Sequence, residues 1–231
     1  MISILMANYN AEKFIQQAID SVLKQTNNEW ELVIVDDAST DNSFEKIKDN
    51  NDKRIKTYKR KENGGYGLTL RDAIKHANGQ IYGIFDSDDV LENNAIDIMI
   101  KAHKNHPNHG LIYSQFLQCD EQMHPIKKGD CASIPENTTW LDILIHTPKP
   151  RPRISHFKTF KKEAYDKTEG FHELRRTVDK DIVLKLEEVT KTLFIDKILY
   201  HYRAHPAGIS RSKSSKPYGE IVIQNALRRR M

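Results

Sequence analysis

Two clusters of acidic residues, each directly after a mostly apolar segment, are the residues of this chain whose types and spacing could do chemistry. The apolar segments are residues 31–35 and 81–85, and the carboxylates that follow them are Asp36, Asp37, Asp86, Asp88 and Asp89. Carboxylates crowded at the end of a strand repel one another unless a cation or a hydrogen-bonding ligand lies among them. Hard oxygen ligands suit Mg²⁺ or Mn²⁺ shared with substrate phosphates. The clusters therefore predict a metal-dependent enzyme that handles a nucleotide or another phosphate ester.

The elements that must position these clusters alternate between strand and helix in the first half of the chain. Apolar runs at 2–6, 31–35 and 81–85 predict strands, and residues 11–25 and 68–77 are predicted helices. Such alternation predicts an α/β fold with a mixed, mostly parallel sheet and helices on both faces. Ligands of such sheets bind at the carboxyl ends of the strands, so we expect both acidic clusters at one shared site.

The second half of the chain has a less regular pattern. A strand is predicted at 110–118, followed by a loop or a hairpin over 119–137. A helix is predicted at 179–188 and a strand at 193–203. Residues 148–153 contain too much proline for a helix or a central strand, so we interpret them as an active-site segment or a connector.

Length and composition limit the class of protein. A chain of 231 residues with net charge +4 and mean hydropathy −0.66 suits one sizeable soluble α/β domain. No apolar run approaches the roughly 18 residues of a membrane helix, and no nucleic-acid-binding motif is present. We predict one domain over residues 1–210 and a basic C-terminal tail over 211–231, whose terminal arginine run is interpreted as a solvated tail.

The expected location is the cytoplasm. The first residues lack the basic region and long apolar core of a signal peptide, and Cys119 and Cys131 are the only cysteines. Two cysteines without a secretory signal favour the reduced form. The basic run Arg228, Arg229 and Arg230 is compatible with a peripheral contact with the anionic inner membrane surface.

A series of short segments occurs along the chain in a specific order. These segments are residues 3–10, 21–26 and 35–41, Asn63-Gly64-Gly65 with Arg71, Asn78-Gly79, and Asp86-Ser87-Asp88-Asp89. In this order they resemble the family 2 glycosyltransferases of the GT-A fold. The later segments 154–157, 169–171 and 178–181 are most similar to the domains of bacterial chondroitin and hyaluronan-type polysaccharide synthases.

This resemblance implies a nucleotide-sugar donor, most often a uridine diphosphate sugar. Asp37, with Asp36 beside it, would accept hydrogen bonds from the base, and Tyr9 would stack or pack nearby. Arg71 would face the diphosphate. Asp86 would reach the ribose or support the metal shell.

The resemblance also implies a metal ion and a catalytic base. Asp88 would hold Mn²⁺ or Mg²⁺ against the two phosphates, and Asp89 would take a metal or an acceptor contact. His205 falls where some relatives supply a further metal or diphosphate contact. Asp179 would deprotonate the hydroxyl of a glycan or lipid-linked acceptor, although Val178 stands where the family commonly has Glu.

Other interpretations of the same residues stay open at this point. Asp36 and Asp37 could form a turn and a helix cap, Asp179 could cap its helix, and Asp181 would be a supporting or capping residue. The glycine-rich segment 63–67 lacks a Walker ending and is interpreted as a plain loop. Competing functions are a sugar-nucleotide nucleotidyltransferase, whose glycine-rich opening signature is missing from residues 6–10, and a non-catalytic nucleotide-sugar or glycan-binding module.

Overall fold

The computed structural model describes residues 1–146, 153–173, 176–206, 208 and 216–231. All but the last residue of the proline-rich segment, which the sequence predicts as an active-site segment or a connector, lie outside this part of the chain. The described residues form a sheet that is covered by helices on both faces.

The helices and strands follow the alternation expected from the sequence. The strands are β1 (Ile2–Asn8), β2 (Trp30–Asp36), β3 (Ile55–Lys59), β4 (Ile81–Ile84), β5 (Val90–Leu91), β6 (His109–Cys119), β7 (Pro125–Lys128), β8 (Thr159–Lys161) and β9 (Lys191–Arg203). The helices are α1 (Ile15–Leu23), α2 (Ser43–Lys48), α3 (Tyr66–His76), α4 (Ala95–Asn105), α5 (Trp140–His146), α6 (Lys162–Tyr165), α7 (Val178–Glu187) and α8 (Lys216–Arg229). In the described part of the chain, no helix has both the length and the apolar character that crossing a bilayer requires.

The sheet has the strand order β3-β2-β1-β4-β8-β6-β9-β5, with β7 paired to β6. The strands β3, β2, β1 and β4 are parallel to one another. β8 then runs antiparallel between β4 and β6, and β6 is parallel to β9. This mixed α/β arrangement confirms the predicted fold class, and the β6–β7 pairing confirms a hairpin after residue 118.

Two apolar layers cover the sheet because adjacent residues of a strand point to opposite faces. Ile4 packs on one face with Ile19 of α1, while Leu5 packs on the other face with Leu70 of α3. Every residue of β2 is buried, which is expected for a strand covered on both sides. The carboxyl ends of β1, β2 and β4 therefore lie at one edge of a sheet whose faces are already filled.

The C-terminal helix α8 differs from the solvated tail that the composition predicts. Val222 and Ala226 are fully buried, and the helix packs against α5 and α7. Arg229 binds the carboxylate of Glu188 at 2.9 Å. The expectation of a solvated tail is therefore wrong for this helix, because two apolar residues one turn apart give a basic segment a buried stripe. The domain division at residue 211 stays a prediction.

Candidate active site

A cleft of about 1040 Å³ lies where β1, β2 and β4 end. It is lined by most of the residues that the sequence singles out: Tyr9, Asp37, Asp86, Asp88, Asp89, Asp179 and His205. Asp36 and Arg71 are not among its lining residues. Arg71 lies on α3, where its guanidinium binds the exposed Glu173 at 2.9 Å.

Asp36 is completely buried beneath the cleft. Its carboxylate accepts hydrogen bonds from the Asn8 side-chain amide at 2.7 Å and from the Ser39 hydroxyl at 2.5 Å. The backbone N–H of Ser39 also donates to it at 2.9 Å. These contacts tie the turn after β2 to the end of β1, which is the turn-forming role that an Asp at this position often has.

Asp37 holds the glycine-rich loop in place. The backbone N–H groups of Gly64 and Gly65 donate to its carboxylate at 2.9 and 2.7 Å. Arg60 adds an ion pair at 3.0 Å. Gly65 has a φ of +87°, a conformation that favours glycine. The glycine-rich segment 63–67, which the sequence suggests is a plain loop, thus connects the first acidic cluster to the start of α3.

The second acidic cluster is held by two phenols. The Tyr66 hydroxyl donates to Asp86 at 2.6 Å, and the Tyr200 hydroxyl lies 2.6 Å from Asp89 and 3.3 Å from Asp86. Burial and the charge of Asp88 raise the pKa of Asp86 to about 6. Burial, with the charges of Asp88 and Asp86, raises the pKa of Asp89 well above its usual range. The cluster is therefore a place where negative charge is costly unless a cation or a hydrogen-bond donor is near.

Arg203, at the end of β9, fixes the backbone of this acidic loop. Its Nε donates to the carbonyl oxygen of Asp88 at 2.6 Å, and its backbone N–H donates to Asp89 at 2.7 Å. The guanidinium also lies over the ring of Phe14, 4.6 Å from the ring centre. Since Asp89 is already bonded to both Arg203 and Tyr200, it supports the loop from below.

Asp88 and His205 are the pair in this cleft with the chemistry of metal ligands. The His205 Nε2 atom lies 2.8 Å from Asp88 Oδ2, and the Asp88 side chain is 30% exposed toward the cleft. In the described residues, no group of three or more His, Cys, Asp or Glu side chains is arranged to hold a metal by itself. Two protein ligands fit Mg²⁺ or Mn²⁺, which commonly complete their shell with water and substrate phosphates.

Asp179 lies on the first turn of α7, with its side chain 49% exposed in the cleft. Its Oδ2 lies 3.4 Å from Lys158 Nζ. Burial of the site opposes ionisation, but the charge and hydrogen bond of Lys158, together with His156 and the backbone N–H of Lys180, outweigh it and lower the pKa of Asp179 below its ordinary value. The carboxylate is therefore ionised near neutral pH and accessible, as a base for an acceptor hydroxyl must be.

Asp181 has a different environment from Asp179, although they share the first turn of α7. Its side chain is fully buried and lies 2.8 Å from Lys185 Nζ. Lys185 also donates to the carbonyl oxygen of Gly170 at 2.9 Å. Asp181 thus joins the helix to the preceding segment, in the supporting role expected for it.

Among the residues that line or build this cleft, sequence reasoning missed Lys158, Tyr200 and Tyr218. Lys158 directly follows a segment that carries the family resemblance, which was the only signal for it. Tyr200 lies within a predicted strand, where nothing marks it as the partner of two carboxylates. Tyr218 lies on α8, in the segment that the composition assigned to a tail.

Comparison with known proteins places this geometry in a family. The model of the family Glycosyl transferase family 2 matches residues 3–182. The chain is 30% identical to a chondroitin synthase of Pasteurella multocida over 234 residues, which is 99% of this chain and 23% of that protein. It therefore spans about a quarter of the length of that relative.

Solved structures share the fold at lower identity. TarS of S. aureus in complex with UDP-GlcNAc superposes with a TM-score of 0.74 at 22% identity, covering 91% of this chain and 61% of that one. The mannosyltransferase PcManGT of Pyrobaculum calidifontis, in complex with GDP-Man and Mn²⁺, gives 0.67 at 18% identity, covering 90% and 58%. The family model matches well over half of the chain, which confirms the resemblance stated from the sequence: this chain belongs to glycosyl transferase family 2.

Proposed function

We propose that this chain is an inverting, metal-dependent glycosyltransferase that moves a hexosyl or hexosaminyl group from a UDP-sugar to a hydroxyl of a glycan or lipid-linked acceptor. The observation that carries the proposal is that an accessible, ionised carboxylate, Asp179, faces the same cleft as the acidic loop of Asp88. A base on one side and a phosphate-binding end on the other are the two parts that sugar transfer from a nucleotide donor needs.

The donor end of the cleft is lined by residues suited to a nucleotide. Tyr9 is 50% exposed at its edge and offers a ring face to a base. Asp37 also lines the cleft, where its carboxylate binds the backbone of the glycine-rich loop. TarS was solved with UDP-GlcNAc and the Pyrobaculum mannosyltransferase with GDP-Man, which supports a nucleotide-sugar donor here.

Asp88 and His205 would hold a divalent cation, which supplies charge neutralisation for the leaving diphosphate. A structure of the Pyrobaculum relative with Mn²⁺ supports this choice of metal. Asp86 and Asp89 are also proposed to help bind the donor. Asp86 would contact the ribose or support the ligands of the metal, and Asp89 would support the acidic loop from beneath.

The chemical step requires a proton acceptor on the acceptor side. The carboxylate of Asp179 takes the proton of the acceptor hydroxyl as its oxygen attacks the anomeric carbon. Attack on the face opposite the departing diphosphate breaks the bond between sugar and phosphate and inverts the anomeric configuration. The first-turn position keeps this carboxylate at the surface of α7, where an acceptor can reach it.

Two residues that the resemblance assigns to donor binding have less direct roles. Asp36 would act through the turn that carries Asp37. Arg71 stays a predicted diphosphate contact, and that contact requires its release from Glu173. A UDP affinity that is unchanged in Arg71→Ala would contradict this role.

The expected process is the synthesis of surface polysaccharide or glycoconjugate, on the cytoplasmic side. The chondroitin synthase relative supports the process, and the two buried, unpaired cysteines fit a reducing compartment. Arg229 and Arg230 form ion pairs with Glu188 and Glu187, so the exposed Arg228 is the terminal arginine that would contact anionic lipid, worth about 1 kcal/mol. Anionic-vesicle binding that is no weaker in Arg228→Glu would contradict the membrane contact.

A nucleotide-sugar panel tests the proposed function. Thermal stability is measured with UDP-, GDP- and dTDP-sugars, each with and without Mn²⁺, and stabilising donors are then incubated with glycan acceptors. We expect Mn²⁺-dependent stabilisation by UDP-sugars and release of UDP on transfer. Formation of a nucleotide sugar from a nucleoside triphosphate and a sugar phosphate would instead show a nucleotidyltransferase. Donor binding with no turnover for any acceptor would indicate a binding module.

A further inference from the structure

Lys158 is a buried cation in the wall of the cleft. Its side chain is 4% exposed, and its Nζ lies 3.4 Å from Asp179 Oδ2. Lysine is rarely this buried unless it is paired, and in the described part of the chain Asp179 is its ion-pair partner. We propose that Lys158 is a positioning residue that keeps the Asp179 carboxylate ionised and aimed at the acceptor hydroxyl. This inference rests on the proposed function.

The sheet fixes where Lys158 stands. Its carbonyl oxygen accepts a hydrogen bond from the backbone N–H of Ile84 at 3.0 Å, and the next residue, Thr159, pairs with Gly83. Lys158 is therefore held beside Ile84, which ends β4 and lies two residues before Asp86 in the chain. A side chain leaving the backbone there lies between the acidic loop and the first turn of α7.

Groups of both signs surround Asp179. They come from α7 itself, the segment before β8, the start of α3 and the acidic loop: Lys180, Lys158, His156, Tyr66 and Asp86. Burial and the charge of Lys158 lower the pKa of His156 to about 3, so this ring is neutral near pH 7. Lys158 is the cation among them that lies within ion-pair distance of the carboxylate in the described residues.

The contribution of Lys158 is orientation and charge rather than basicity. A nearby cation favours the ionised carboxylate, and a lower pKa makes a carboxylate a weaker base. The gain is that Oδ2 is held by Lys158, which restricts the carboxylate to one orientation. It also keeps the base ionised while other carboxylates of the cleft raise the local negative potential.

The test compares Lys158→Met with Lys161→Met. Lys161 is the last residue of β8 and pairs with Glu163 away from the cleft. The pKa of Asp179 is read from the carbon-13 shift of its carboxyl group, with the signal identified by its loss in Asp179→Asn. We expect the pKa to rise by about 1 unit in Lys158→Met and to stay unchanged in Lys161→Met. Lys158→Arg, which keeps the charge, should restore the low pKa.

Transfer kinetics supply the second readout. In Lys158→Met, kcat should fall about 10-fold with the donor KM within about 2-fold, and the acidic limb of the pH profile should move to higher pH. If the methionine variant does not fold, Lys158→Gln gives the same comparison. An unchanged pKa of Asp179 together with an unchanged acidic limb would overturn the inference. A raised pKa in a protein whose wild type transfers no sugar would instead reject the proposed function and leave the Lys158–Asp179 coupling standing.

Discussion

The imidazole of His205 lies 2.8 Å from the carboxylate of Asp88, although 117 positions separate the two residues in the chain. Asp88 follows β4, and His205 follows β9. The pairing of Val90 with His201 joins these regions through β5 and β9. The end of the cleft suited to a metal is therefore built from both halves of the chain, and it exists only when the second half has folded onto the first.

Removal of the Asp88 carboxylate should abolish the Mn²⁺-dependent part of nucleotide binding. We expect Asp88→Ala to weaken Mn²⁺-dependent UDP binding by at least about 10-fold, and His205→Ala to weaken it less. Isothermal titration of UDP with and without Mn²⁺ measures the effect. The melting temperature of Asp88→Ala without metal should not fall, because loss of one charge relieves repulsion with Asp86 and Asp89.

The matched control for this experiment is Asp166→Ala, which removes an exposed carboxylate paired with Lys162. It should leave UDP binding unchanged. Equal Mn²⁺ dependence in Asp88→Ala and Asp166→Ala would show that the metal does not bind at Asp88.

Asp179→Asn should lower kcat of sugar transfer by roughly 100-fold or more, because general base catalysis commonly contributes that much. The amide keeps the size of the side chain and cannot take the acceptor's proton. Donor affinity should persist, since Asp88, His205 and Tyr9, rather than Asp179, are the residues proposed to bind the donor and its metal. Steady-state transfer assays and UDP titration measure the two effects separately.

Asp181→Asn is the control on the same turn, with a different expected outcome. Breaking this buried ion pair leaves Lys185 with only the exposed Glu169 as an acidic partner, so we expect a loss of about 3 kcal/mol in the free energy of unfolding. Transfer per folded molecule should be retained. If the Asp181 variant is stable but inactive while the Asp179 variant is active, the catalytic base is Asp181 and not Asp179.

Val222→Ala should lower the free energy of unfolding by roughly 2 kcal/mol, because it opens a cavity where α8 packs on the domain. Ile221→Ala, at the neighbouring position whose side chain is 45% exposed, should change it by less than about 0.5 kcal/mol. Urea unfolding measures both. Equal effects of the two substitutions would mean that α8 does not dock through Val222.

Glu31→Gln should reduce the loss of stability in acid. Burial opposes ionisation of Glu31, but hydrogen bonds from Lys56, Ser3 and the backbone of Asn78 lower its pKa below the ordinary value. A carboxyl whose folded-state pKa is lowered stabilises the protein fully above its unfolded-state pKa, and this contribution disappears as the pH falls through the folded-state value. The difference in unfolding free energy between wild type and Glu31→Gln should therefore be largest at pH 7 and shrink toward pH 3. A difference that is constant over this range would contradict the lowered pKa.

The sequence by itself determined the alternating strands and helices of the first half, the place of the cleft and the family. These depend on local signals, because apolar runs define strands and the carboxylates directly after them must lie where the strands end. Asp37, Asp88 and Asp179 were found in this way or by resemblance, and all three line one cleft. The sequence did not show which of Asp36 and Asp37 lines the cleft. Neighbouring residues at a strand end point to different sides, and the structure shows that Asp37 is the one that faces the cleft.

The tertiary structure alone decided which groups surround these carboxylates. Lys158 reaches Asp179, and Tyr200 reaches Asp86 and Asp89, only through the pairing of β8 and β9 into the sheet. The docking of α8 likewise depends on a surface that α5 and α7 provide. Contacts between residues far apart in the chain leave no periodic pattern in either partner. They arise because burial of apolar faces brings the elements together, and polar side chains then pair according to where the backbone has placed them.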